Sequence, residues 1–169
     1  KSPFQTFQDS LSSGTYFFIN RYVSLTKEEN QQLLDWVKSG NNAFIASEGI
    51  PKPLLDTLGL DVSFYVSDSE IEYLPSFNLN NKPQRLPNFK TSRKAFEYLY
   101  FSEIDSASTT ALGLVKTAKA KKSEHTNYIQ IDWGKGKFLI HLAPQVYTNY
   151  FMVDGNNSDY TSRTLGFLD

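Results

Sequence analysis

The sequence predicts an α/β fold, with a mostly parallel core sheet flanked by helices and extended by an antiparallel hairpin. Three observations lead there. Short apolar runs alternate with helical patterns over residues 16–58, the pattern of βαβ units with parallel neighbouring strands. Two β-branched and aromatic runs, Tyr128–Trp133 and Lys137–Leu142, flank Gly134-Lys135-Gly136, the composition of a tight hairpin turn. The second run is almost wholly apolar from Phe138 to Leu142, which suits a central strand covered on both faces.

Each element has its own signal. Phe4, Phe7 and Leu11 stand at helical spacing in the opening residues, 1–13. Tyr16–Asn20 is a continuous apolar run and predicts a buried strand. Thr26 and Glu29 make a capping box, Leu33, Leu34 and Val37 an apolar stripe, and Gly40 a C-terminal cap, so a helix covers Lys27–Ser39. Ala43–Ala46 reads as a second buried strand. Pro51 then opens a shorter helix carrying Leu54, Leu55 and Leu58, closed by Gly59. Val62–Ser67 alternates like a strand, Lys94–Phe101 reads as a strand with a helix as the open alternative, and Ala111–Thr117 is a further strand. Residues 68–92 are rich in Asn, Pro, Ser and Lys without a period. The whole of 1–169 is read as one α/β domain with an inserted excursion or small subdomain at 62–110. Asp154–Asn157 is a turn before a last helix that runs to Leu168.

Composition narrows the function. Thirteen phenylalanines and ten tyrosines supply a sizeable core. A net charge of −1 gives no electrostatic footprint for nucleic acid, and the four lysines of the 116–122 loop lack interleaved aromatics. Cysteine is absent, which excludes disulfides, thiolate metal sites and cysteine nucleophiles. No apolar run approaches the ~20 residues needed to span a bilayer. Lys1-Ser2-Pro3 has neither an initiator Met nor a signal peptide, so the chain is expected to be part of something longer.

The candidate site residues lie at strand ends, where open α/β sheets place ligands. Asn20 and Arg21 follow the first strand, Glu48 the second, and His141 ends the strand after the hairpin. A carboxylate and an imidazole can share acid–base work. The plainer reading is favoured for both: a buried histidine bonded to backbone, and a glutamate placed favourably before a helix N-terminus. His125 reads as a solvated loop residue, and Asn149 as a turn or helix-start residue. Asn156-Asn157-Ser158 matches a glycosylation acceptor, a pattern common by chance. No serine elbow, dinucleotide fingerprint, phosphate loop or zinc spacing occurs, so no metal or cofactor is expected.

Two blocks carry a family resemblance. One is Gly14–Asn20 with Leu25–Glu29, Leu33–Asn41 and Ala43–Ser47; the other is Gly134–His141 with Pro144, Thr148–Tyr150 and Tyr160–Leu168. Together they resemble a family of bacterial extracytoplasmic domains of unknown function with a glutamine-amidotransferase-like (flavodoxin-like) fold. Such domains are similar to those of gliding-motility and ABC-transporter auxiliary proteins. The resemblance implies a periplasm-facing domain, anchored to the inner membrane by a segment outside this chain. It also implies an assembly role beside a MoxR-type ATPase and other membrane proteins. Amidotransferases of this type use a Cys–His–Glu triad, and a chain without cysteine cannot carry that chemistry.

The expected function is therefore a non-catalytic interaction or ligand-binding module. A hydrolase-like enzyme using Glu48 and His141 is the alternative. A carbohydrate-binding surface drawing on Tyr65, Tyr73, Phe77, Tyr98 and Tyr100 is a third reading, which would need a deep pocket with two or more exposed aromatics.

Overall fold

The computed structural model describes residues 13–66, 75–80, 89–90, 97–116 and 124–168. The opening helical pattern, Tyr73, and most of the basic loop lie outside them. Nine strands are described: β1 (Thr15–Ile19), β2 (Asn42–Ala46), β3 (Leu60–Val66), β4 (Ser76–Leu79), β5 (Phe89–Lys90), β6 (Glu97–Ile104), β7 (Thr109–Lys116), β8 (His125–Trp133) and β9 (Gly136–His141). The α-helices are α1 (Lys27–Lys38), α2 (Lys52–Leu58), α3 (Asn149–Met152) and α4 (Asn157–Leu165), with 3-10 turns at Pro144–Tyr147 and Gly166–Leu168.

The main sheet has seven strands in the order β1-β2-β9-β8-β7-β4-β5, and β3 pairs with β6 in a second, two-stranded sheet. Among the described strands only β1–β2 and β2–β9 pair parallel. The pairs β9–β8, β8–β7, β7–β4 and β4–β5 are antiparallel. The expectation of a mostly parallel core flanked by helices is thus corrected, and with it the flavodoxin-like arrangement that the resemblance implied. The sheet is mixed and mostly antiparallel. The reason is the hairpin: a two-residue turn can join only antiparallel strands. Far from being an extension, this hairpin fills the third and fourth places of the sheet. Of the 62–110 stretch, β4 and β5 belong to the main sheet and β3 and β6 form the small one.

Local signals explain the elements. The Thr26–Glu29 capping box is present in both directions, Thr26 Oγ1 accepting from Glu29 N at 3.2 Å and Glu29 Oε2 from Thr26 N at 2.9 Å. Leu33, Leu34, Trp36 and Val37 are the buried side of α1. Gly59 closes α2 in the left-handed conformation at φ +67°.

Alternation along the strands builds two cores. On one face Ala43, Ile45, Phe138, Ile140, Ile129 and Ile131 pack with α1, α2, Leu60 and Phe101. On the other, Phe44, Leu139, Tyr128 and Phe77 pack with Val146, Phe151 and Tyr160. The β9 run Phe138–His141 is wholly buried, as expected of a strand covered on both faces. Polar anchors fix the covering layers: Trp133 Nε1 donates to Leu34 O at 3.1 Å, and Tyr128 Oη to Thr164 O at 2.8 Å.

The hairpin turn pairs Trp133 with Gly136, and only the first of its two central residues, Gly134, has positive φ, +64°. That is type II′ geometry, which favours glycine there. Gly136 answers a different need. A Cβ at this position would collide with the backbone oxygens of Asn41 and Val37, so its lack of a side chain is what lets β9 approach the end of α1. Gly136→Ala is expected to cost about 2–4 kcal/mol, read as a lowered urea midpoint with unchanged slope. A loss below about 0.5 kcal/mol would show that the contact relaxes freely.

Candidate functional site

The ends of the two parallel strands are locked together by backbone. Arg21 O accepts from Glu48 N and Gly49 N, both at 3.0 Å, and from Ser47 Oγ at 3.0 Å. Val23 N donates to Gly49 O at 2.8 Å, and Tyr22 bridges to Gly49 as an extra parallel pair. The Tyr22 ring leaves no room for a side chain at 49, where a Cβ would lie 2.5 Å from Cδ1. This clamp holds the side chains that follow.

Arg21 Nε donates to Glu48 Oε2 at 2.9 Å, and the guanidinium stands 5.2 Å from the Tyr22 ring centroid, within cation–π range. Together with Phe64, Tyr98, Leu99, Leu142 and Gln145 these residues line a cleft of about 180 Å³. It runs between the parallel strand ends and the small β3–β6 sheet. Tyr22 and Phe64 are 60% and 61% exposed on its rim. The ion pair is largely open to water, so its worth to stability is small and its value is geometric.

His141 is elsewhere. Its neighbour Leu142 lines the cleft and packs in the first core, whereas His141 points through the sheet among Phe77, Tyr128, Tyr147 and Tyr160. Nδ1 accepts from Ala143 N at 3.0 Å, which leaves Nε2 as the protonated nitrogen donating to Tyr160 Oη at 2.9 Å. Burial lowers its pKa to about 3, and burial raises those of Tyr128, Tyr147 and Tyr160. Arg21 and Glu48 are therefore brought together, and Glu48 and His141 are not. Asn20 turns its side-chain oxygen back to Arg21 N at 2.8 Å. Asn149 is the first residue of α3, whose cap is Thr148. Among the described residues no group of three His, Asp or Glu side chains could hold a metal, and no helix is long and apolar enough to cross a membrane.

Tyr22, Phe64 and Gln145 complete the cleft, and sequence reasoning did not single them out. Tyr22 carried a usable signal, since it directly follows two strand-end candidates. Phe64 did not: it shares the parity of Leu60 and Val62, which pack in the first core, and yet it is exposed. Of the aromatics read as a carbohydrate surface, Phe77 is core, Tyr100 packs on His125 at 4.2 Å, and Tyr98 lines the cleft but is itself buried, stacked on Tyr65 at 5.4 Å. Asn127 was also missed. It is 1% exposed, and neither its side-chain nitrogen nor its oxygen has a hydrogen-bond partner among the described residues.

The chain belongs to a bacterial-type family described as a domain of unknown function, DUF4350, whose profile matches residues 2–165. No curated protein matches it by sequence. Among solved structures it is similar to the mmIFT52 N-terminal domain, at 10% identity and TM-score 0.68, over 96% of this chain and 79% of that one. It is similar also to a putative ThuA-like protein from Bacteroides uniformis, at 12% identity and TM-score 0.63, over 96% and 71% of the two chains. An exo-β-1,4-mannosidase from an Opitutaceae bacterium matches at 11% identity and TM-score 0.56, over 95% of this chain but 26% of the enzyme. At these identities the likeness is one of fold alone.

Two predictions follow from the buried polar groups. Folded His141 stays neutral down to about pH 3, whereas an unfolded histidine takes up a proton near 6.5. Between those values the unfolded state binds more protons, so stability falls as pH is lowered through the window, by up to about 1.4 kcal/mol per pH unit from this group. In His141→Gln that component should vanish from the pH dependence of the denaturation midpoint. Asn127→Leu removes an unpartnered amide at similar volume and should raise stability by about 1 kcal/mol in thermal denaturation; a loss would mean the amide has a partner in solution.

Proposed function

We propose that the domain is a non-catalytic binding module of a membrane-anchored, extracytoplasmic bacterial protein, with the Arg21–Glu48 cleft as its contact surface. The observation that supports this reading most is the separation of Glu48 from His141. An acid–base pair needs both groups within reach of one substrate. Here the imidazole lies on the far side of the sheet, neutral and with both nitrogens engaged. The cleft offers what contact surfaces use instead: an arginine and two exposed aromatic rings on a backbone held in place beforehand. Its partners in this reading are other membrane or membrane-associated proteins, or a small ligand that such proteins present.

A photo-crosslinker placed in the full-length protein at position 22 or 64 should capture defined proteins of the membrane fraction. The same group at Ser158, exposed on α4, should not. Equal capture from all three positions would sink the reading. So would a hydrolytic activity that is lost in Glu48→Gln.

A further inference from the structure

The composition of the cleft selects a class of ligand. Resting on the reading of this cleft as a binding surface, we infer that it takes a single neutral, polyhydroxylated ring, the chemistry of one sugar unit. Three features carry this. The first is aromatic. Tyr22 and Phe64 hold more than half of their surface open to water on the rim of one cleft, where flat apolar faces can cover the C–H face of a ring. The second is polar. Glu48 accepts hydrogen bonds, Arg21 donates them and the Gln145 amide does both, which matches hydroxyls that are donor and acceptor at once.

The third is charge, and it decides between ligands. Arg21 and Glu48 cancel one another at 2.9 Å. An anion drawn to Arg21 meets the Glu48 carboxylate, and a cation drawn to Glu48 meets the guanidinium. A neutral ligand bonds to both and leaves the pair intact. Size agrees: about 180 Å³ is below the ~300–1,000 Å³ of pockets that enclose drug-sized molecules, and suits one ring.

The test is an amide chemical-shift titration of the isotopically labelled 169-residue chain with D-glucose, D-galactose and N-acetyl-D-glucosamine. D-glucuronate and D-glucosamine serve as charged counterparts. At least one neutral sugar should shift the Tyr22, Gly49 and Gln145 amides saturably, with the charged sugars weaker. Tyr22→Ala and Phe64→Ala, both at exposed positions, should each weaken binding up to about tenfold. Tighter binding of glucuronate or glucosamine, or shifts that persist in both variants, would overturn the proposal. Absence of shifts with all three neutral sugars, while crosslinks from position 22 persist, removes the ligand class and leaves the binding module standing. Glu48-dependent cleavage of a p-nitrophenyl glycoside does the reverse: the ligand class stands and the non-catalytic reading falls.

Discussion

The covering of β9 on both faces is the constraint on which the rest of the structure depends. Phe138 and Ile140 face α1 and α2, and Leu139 faces α4 and the turn after Pro144, so neither face is left for water. A strand in that position must have hydrogen-bonded neighbours on both edges, since a bare buried edge would leave backbone groups unpaired. It has them in β2, parallel, and β8, antiparallel. The change from parallel to antiparallel pairing therefore occurs at β9, in the middle of the sheet. Gly136 makes the arrangement possible by letting the strand begin directly against the last turn of α1.

The cleft is a consequence of the parallel half. Strands β1, β2 and β9 all end at the same side of the sheet, and the polypeptide leaving β1 and β2 is tied by the Arg21 carbonyl to three donors. That places Arg21, Tyr22 and Glu48 side by side. The opposite wall comes from the antiparallel β3–β6 pair, a unit that follows α2 and folds back over the same face. Two different kinds of sheet thus meet at one small opening, and each contributes an exposed ring.

His141 shows how a strand-end histidine takes a structural part. Parity sends its side chain away from the cleft among Tyr128, Tyr147, Tyr160 and Phe77, where a charged imidazole would be badly solvated. The Ala143 amide and the Tyr160 hydroxyl satisfy both nitrogens and fix the tautomer. It joins the polypeptide after β9 to α4 and stabilises the second core through hydrogen bonds that an apolar residue could not make.

Much of the fold was legible in the sequence, because the signals were local. The capping box of α1, the glycine after α2, the turn at Gly134 and the apolar run of β9 each act within a few residues, and each appears close to where spacing placed it. The parallel start of the sheet was legible for the same reason, and extending it to the whole sheet was the error: β7 with β8 and β4 with β5 are consecutive strands that pair antiparallel without a tight-turn signal like that at Gly134, and β7 with β4 joins segments far apart in the chain. The candidate site divides the same way. Arg21 and Glu48 could be found from their places after strands. Which face His141 takes, and that Phe64 from a separate sheet reaches the same opening, was decided only by the tertiary structure, because a side chain's neighbours across a sheet depend on register and layer packing between segments far apart in the chain.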